Sequence, residues 1–241
     1  MRIERPAGEM ARLGAVQSAL WAPLVAMNVT WRTGLIQQIG QTFFRRHPDS
    51  MGINLGAGLT DYFSILSNGH NRWLDVDLKP VIHLRRALLP THGSMARMGR
   101  IDLTQPGWWQ RLKLTDEASK QPLLLVCEEV LMYMTPAQVK AVMREIGENA
   151  HEGTQLVCDF MTPLGISRAA LKPGLHNAET PLLWGAKNGL ELARMHPRLE
   201  LLAQHTSAEV YGPMTCMAEM CMSPWTGGPL CGVAHVVVTE P

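Results

Sequence analysis

The sequence predicts an α/β protein: a seven-stranded, mostly parallel sheet with an antiparallel last strand, preceded by an N-terminal helical cap. Three observations carry that prediction. From Met51 onward short apolar runs alternate with amphipathic segments, the pattern of parallel strands joined by helices. The first run ends in a glycine turn, Gly56-Ala57-Gly58. The next three runs each end at an acid: Asp77, Asp102 and Glu128.

Residues 1–48 lie outside the alternation and read as two helices, Met10 to Val29 and Gly34 to Phe44, set over the carboxyl ends of the strands; residues 49–241 form the main domain. Met51 to Leu55 is the first strand, and a short helix through Tyr62, Phe63, Ile65 and Leu66 follows the glycine turn. Arg72 to Asp77 is the second strand. Lys79 to Leu89 is a helix whose apolar positions Val81, Ile82, Leu84 and Leu88 fall on one face. The third strand, near Ala96 to Ile101, stops at Asp102, and Pro106 to Leu112 is a helical turn entered at a proline.

Leu123 to Cys127 is apolar without alternation, as a strand covered on both faces requires. Thr135-Pro136 supplies an N-cap and a first-turn proline for a helix through Ile146. Thr154 to Phe160 is a strand, Pro181 to Met195 a helix, Leu199 to His205 a strand and Gly232 to Thr239 the last strand. The long irregular stretch between the last two leaves room for an antiparallel hairpin. Its cluster of methionines from Met214 to Met222 reads as loose core packing or the lining of an apolar pocket.

Composition narrows the function. With 46% hydrophobic residues the 241-residue chain can bury a real core, so disorder is excluded. Lys plus Arg (22) nearly cancel Asp plus Glu (21), leaving a net charge of +1. That supplies no general field for nucleic acid or an anionic bilayer. The apolar stretch Leu13 to Val29 is interrupted by Gln17, Ser18 and Pro23, short of the about 20 residues of a membrane span. Five cysteines without a C-x-x-C pair read as reduced thiols of a cytoplasmic protein rather than a disulfide frame or zinc knuckle.

The chemistry resides in the turn and the acids. Ligands of open parallel sheets bind at the carboxyl ends of the strands. Asn54-Leu-Gly-Ala-Gly58 lets the backbone approach a ligand closely. A dinucleotide fold wants a third glycine three residues after Gly58, and Asp61 stands there instead, which disfavours a pyrophosphate. Asp77, roughly 20 residues beyond the turn, is where nucleoside-binding sheets place the carboxylate for the ribose hydroxyls. Asp102 is then set to meet an adenine amino group, and Glu128 or its neighbour Glu129 ends the next strand. Successive strands ending in acids describe a site for a nucleoside without phosphates. S-adenosylmethionine is such a ligand, and its sulfonium cation favours acidic surroundings.

These segments resemble a family. Asn54-Leu-Gly-Ala-Gly-Leu59, Trp73-Leu-Asp-Val-Asp-Leu-Lys-Pro-Val-Ile82, Asp102-Leu103, Glu128-Glu-Val-Leu-Met-Tyr-Met134 and Pro136-x-x-Val139 are similar to successive motifs of leucine carboxyl methyltransferases and tetracenomycin-type O-methyltransferases. The resemblance runs from about Arg32 to Trp184-Gly185. It implies a Rossmann-like class I methyltransferase fold. It also implies that Gly56 and Gly58 face the methionine part of S-adenosylmethionine, Asp77 the ribose, Asp102 and Leu103 the adenine, and Glu128 the amino-acid end, with Ala57, Leu78 and Glu129 as cofactor-binding neighbours. Arg32 matches the family arginine that holds the cofactor carboxylate. The chain departs from the family at Leu59-Thr60-Asp61-Tyr62, where Leu-Asp-Thr-Arg is usual.

Methyl transfer from a sulfonium is an in-line displacement, in which the protein aligns the reactants and excludes water. A carboxylate acceptor needs no base; a hydroxyl benefits from one, and His92, His176, His205 and His235 are available. His176, in the loop after the fifth strand, is the base expected, and Tyr133, like Tyr62, is available to position an acceptor or cover the cofactor. The acceptor is expected to be a secondary metabolite, polyketide-like, carrying a carboxyl or hydroxyl group. No metal is expected, because Asp159 follows the fifth strand without an obvious partner. The protein is expected to work as a monomer or homodimer. Two other readings remain open: a non-catalytic S-adenosylmethionine-binding subunit and, disfavoured by Asp61, a nicotinamide dehydrogenase.

Overall fold

The structure is a computed structural model that describes residues 7–170, 181–226 and 231–240. Its seven strands are β1 (Met51–Leu55), β2 (Arg72–Asp77), β3 (Ala96–Arg100), β4 (Leu124–Cys127), β5 (Gln155–Met161), β6 (Leu199–Thr206) and β7 (Cys231–Val238). They form one sheet in the order β3-β2-β1-β4-β5-β7-β6. The first five strands pair in parallel, whereas β7 runs antiparallel to both β5 and β6. The fold class read from the sequence is therefore the one observed. Strand order reverses between β1 and β4, so the loops after these two strands diverge and leave a crevice at their carboxyl ends.

Alternation along the strands divides the core between the two faces of the sheet. On β4, Leu125 and Cys127 face the larger core, with Trp108, Val139, Val142 and Ile146 from the helices α4 (Trp108–Arg111) and α6 (Pro136–Asn149). Leu124 and Val126 face the opposite core, with Trp73, Phe63, Ile36, Phe43 and Phe44. The predicted cap on α6 is present as a full capping box: Gln138 N–H donates to Thr135 Oγ1, and Gln138 Oε1 accepts the Thr135 N–H.

Four expectations are corrected. The N-terminal region is one continuous helix, α1 (Ala7–Arg46), not two. The weak helix formers between Val29 and Gly34 are carried through because the turns on either side are helical and Ile36, Phe43 and Phe44 are anchored in the core. Those three residues make the second half of α1 part of the sheet's packing. Second, in the helix after β2, α3 (Lys79–Leu88), Leu84 and Leu88 are exposed, and the buried face is Ile82 and Arg85.

Third, of the helix expected over Pro181 to Met195 only α8 (Gly189–Ala193) forms. Upstream of it the N–H groups of Leu183 and Trp184 donate to the Met132 carbonyl, and the backbone passes Met161 too closely for any Cβ at Gly185. Fourth, the segment expected to be irregular before the last strand contains the helix α9 (Pro213–Thr226). Met214, Met217 and Met220 on it point to solvent, so they are neither core nor lining of the main cavity. The helices α2 (Tyr62–Leu66), α5 (Asp116–Ser119) and α7 (Pro163–Ala170) complete the set described. No helix among the described residues is long and apolar enough to cross a membrane.

Candidate functional site

The crevice at the switch point is a cavity of about 800 Å³, in the size range of small-molecule sites. It is lined by Arg32 and Thr33 of α1, the turn Gly56 to Thr60, Asp77 and Leu78, Ile101 to Thr104, Glu128 to Val130, and Tyr133 with Met134. Every cofactor candidate of the sequence reading therefore reaches one cavity, as does Tyr133. His176 lies outside the described residues. His92, His205 and His235 are not among the lining residues.

The glycine turn is shaped by β1 and β2 together. Gly56 and Gly58 have φ of +73° and +48°, left-handed values that favour glycine. The N–H groups of Gly56 and Ala57 both donate to the Val76 carbonyl, at 2.9 and 3.0 Å. A Cβ on Gly56 would sit 2.3 Å from Val130, whereas one on Gly58 would meet nothing within 4 Å. The turn is thus packed on one side and open on the other.

Asp77 ends β2 with both carboxylate oxygens on backbone: Oδ2 accepts the Gly58 N–H at 2.8 Å and Oδ1 the Leu78 N–H at 2.6 Å. Each oxygen keeps a lone pair for a ligand hydroxyl. Asp102 is engaged more locally, accepting from Thr104 N–H at 2.9 Å and Thr104 Oγ1 at 2.6 Å through Oδ1. Those bonds hold its carboxyl below the usual range. Only its Oδ2, with Gln105 at 3.5 Å, is left to face outward.

The opposite wall is built around Arg32. Its Nε donates to Glu128 Oε1 at 2.6 Å, Nη2 to Glu129 Oε1 at 2.6 Å and Nη1 to Asp159 Oδ2 at 3.0 Å. Burial alone would lower its pKa, but the three carboxylates outweigh burial and hold it above its ordinary value. Glu128 and Asp159 are buried, at 8% and 5% side-chain exposure, whereas Glu129 is 55% exposed. Glu129 adopts a positive φ of 55°, costly for a side chain with a Cβ. Asp159 supports this turn by accepting the Glu129 N–H at 2.7 Å. Burial pushes the Asp159 carboxyl up to about 6, against the pull of Arg32 and the Glu129 N–H. Asp159 therefore does have a partner, but the partner is a cation. Among the described residues no group of three His, Cys, Asp or Glu is placed to hold a metal ion.

Tyr62 is not among the lining residues, and Arg85, which holds the glycine turn from behind, was missed by sequence reasoning. Tyr62, at the position where the family has an arginine, is buried and donates to Glu128 Oε2 at 2.6 Å. Burial and then the Glu128 charge raise its pKa, so it remains a donor. Arg85, under the glycine turn, is 1% exposed. A charged residue three positions from Ile82 on the inner face of α3 was the available signal. Tyr133 stands at the rim with its phenol pKa raised by burial, then by Glu129 and Asp159.

The residues fit S-adenosylmethionine on donor chemistry. The lining carries four carboxylates, Asp77, Asp102, Glu128 and Glu129, against one guanidinium, Arg32. No cationic phosphate cradle is present among the lining residues, and an acidic wall suits a sulfonium.

The comparisons agree. The chain is 25% identical over 177 residues to the tetracenomycin polyketide synthesis O-methyltransferase TcmP of Streptomyces glaucescens, covering 73% of this chain and 63% of that one. It thus spans less than two thirds of that relative's length. Among solved structures, a DUF574 family protein of Streptomyces avermitilis superposes with a TM-score of 0.64 at 15% identity, covering 98% of this chain and 92% of that one. A Thermobifida fusca protein assigned as a methyltransferase gives a TM-score of 0.61 at 16% identity, with 88% and 82% covered. These two likenesses establish the fold. Residues 7–147, more than half of the chain, match the leucine carboxyl methyltransferase family. The chain belongs to that family of S-adenosylmethionine-dependent methyltransferases.

Proposed function

We propose that the protein methylates an oxygen, carboxyl or hydroxyl, of a small secondary metabolite of polyketide type. The observation that carries this reading is the convergence of Asp77, Glu128 and Arg32 on one cavity beside a glycine turn. The 25% identity to an O-methyltransferase of polyketide synthesis supports the choice of acceptor atom.

S-adenosylmethionine, when bound, supplies an electrophilic methyl group on a sulfonium. The chain's own residues do the rest. Asp77, anchored at both oxygens, presents its remaining lone pairs to the ribose hydroxyls, and Asp102 and Leu103 flank the adenine. Arg32 faces the cofactor carboxylate, while Glu128 accepts from its ammonium group. The acidic wall stabilises the cation in the ground state, so rate must come from alignment and exclusion of water. Tyr133, whose raised pKa keeps it protonated, donates a hydrogen bond that orients the acceptor oxygen. His176 remains the proposed base for a hydroxyl acceptor.

The test is a screen with methyl-labelled S-adenosylmethionine against aromatic carboxylic acids, phenols and polyketide-derived quinones. Label in an ester or ether product supports the proposal. Cofactor binding by calorimetry without transfer to any oxygen acceptor overturns it in favour of a non-catalytic binding subunit.

A further inference from the structure

Beneath the glycine turn, on the side away from the cavity, lies a charged residue with no part in the chemistry above. Arg85 projects from α3 and is 1% exposed. Its Nη1 donates to three backbone carbonyls of the turn: Ala57 at 3.0 Å, Gly58 at 2.8 Å and Thr60 at 2.8 Å. Its Nη2 pairs with Asp75 Oδ2 at 2.7 Å. Asp75, buried in turn, accepts the Trp73 indole N–H at 2.9 Å. A guanidinium removed from water in this way is tolerated only when its charge is paired and most of its donors are used; of its three nitrogens Nε alone has no hydrogen-bond partner.

The geometry fixes the opposite face of the turn. In a trans peptide the carbonyl of one residue and the N–H of the next point in opposite directions. Carbonyls of Ala57, Gly58 and Thr60 drawn down onto Arg85 send the N–H groups of Gly58, Leu59 and Asp61 the other way. The Gly58 N–H is seen there, donating to Asp77 Oδ2 on the cavity side. Thr60 adds a second tie: its hydroxyl donates to the Ala57 carbonyl at 2.9 Å and accepts from Asn54 Nδ2 at 3.2 Å. A loop of left-handed glycines has many conformations open to it, so a single conformation has to be imposed from outside.

We propose that Arg85, held by Asp75, is a positioning residue that imposes the cofactor-binding conformation of the glycine turn and through it the orientation of Asp77. The proposal rests on the reading of this cavity as the S-adenosylmethionine site. Arg85 touches no ligand; it acts through backbone carbonyls. Its removal raises the cofactor Kd and KM and leaves kcat at saturating cofactor nearly unchanged, because the turn can still be ordered by the ligand at the expense of affinity. A merely structural role would lower the Tm without that split.

The experiment compares the full chain with Arg85→Gln and Arg85→Lys. Calorimetry with S-adenosylmethionine gives Kd, and hydrogen exchange gives the protection of the amides from Gly58 to Asp61. For Arg85→Gln the expected result is a Kd raised about tenfold with faster exchange at those amides. Arg85→Lys, which keeps one charged donor, falls between. Folded Arg85 variants with wild-type Kd and wild-type exchange overturn the proposal. If neither variant folds, Asp75→Asn decides: a Kd raised about threefold supports the positioning role, and an unchanged Kd overturns it. If the wild-type protein binds no S-adenosylmethionine, the reading of the site fails separately. Exchange at the turn then still decides the role of Arg85, with faster exchange supporting it and unchanged exchange overturning it.

Discussion

Asp77 and Gly58 hold each other in place: the N–H of the turn residue donates to Asp77 Oδ2 at 2.8 Å, while Asp77 Oδ1 accepts the Leu78 N–H at 2.6 Å. One carboxylate thus joins the end of β2 to the turn after β1. Asp77→Ala loses both the ligand acceptor and this tie. Its cofactor Kd is expected to rise by about ten- to a hundredfold, two charge-assisted hydrogen bonds being at stake. Asp77→Asn, which still accepts from Gly58, is expected to lose less. An unchanged Kd for Asp77→Ala in calorimetry removes Asp77 from the site.

The two glycines of the turn predict different outcomes. At Gly58 an alanine meets open space and suffers only the left-handed φ, about 1 kcal/mol. At Gly56 the same strain is joined by a Cβ at 2.3 Å from Val130. Gly56→Ala is therefore expected to lose about 2–4 kcal/mol in denaturant unfolding, the overpacking adding to the strain, and to bind the cofactor poorly. Equal stability losses in the two variants refute the close approach at Gly56.

Arg32 neutralises a cluster of three carboxylates, two of them buried. Arg32→Met leaves them uncompensated and is expected to cost about 3–5 kcal/mol at neutral pH. The pH dependence has a definite sign. The Asp159 carboxyl is raised to about 6 in the folded chain from an ordinary 3.8, so protonation favours folding. Its stabilising effect is complete below about 4 and is lost as the pH rises through 6. Without Arg32 the Asp159 carboxyl moves higher still. The Tm deficit of Arg32→Met is thus widest near pH 8 and narrows on acidification towards pH 5. A deficit independent of pH contradicts the carboxylate account.

His235 works in the opposite direction. Burial, and then His205 nearby, lower its pKa from 6.5 to about 4. As the neutral ring its Nε2 lies 2.9 Å from Gln155 Oε1. A depressed histidine favours the folded state above pH 6.5, and this contribution is lost as the pH falls towards 4. His235→Gln is expected to flatten the decline of Tm between these values. Parallel Tm curves for variant and wild type indicate another titrating group.

The strands and the cavity wall were legible because both are written locally. An apolar run such as Leu123 to Cys127 is a buried strand whatever surrounds it, and an acid directly after a strand must lie at the carboxyl edge. Arg85 and the ion pair of Asp159 were not legible, because the first is defined by backbone carbonyls 25 to 28 positions away and the second by a guanidinium 127 positions away. The spacing of Val81, Ile82, Leu84 and Leu88 suggested an apolar face, but α3 turns Arg85 inward to meet the carbonyls of the turn and leaves two leucines in water. Likewise the break predicted in α1 followed local propensity, which anchoring at Ile36 and Phe43 overrides.

The continuity of α1 has a consequence for which changes of length the chain can accept. Arg32 and Ile36 are one turn apart on the same face, the first locked to three carboxylates and the second fully buried. One residue inserted between them turns everything upstream by about 100° and shifts it about 1.5 Å along the axis. The guanidinium would then leave its carboxylates while the aromatic anchors stayed seated. The four-residue interval is a gauge that sets where the charge stands relative to the sheet, so the register of the helix, more than its composition, is what this segment must preserve.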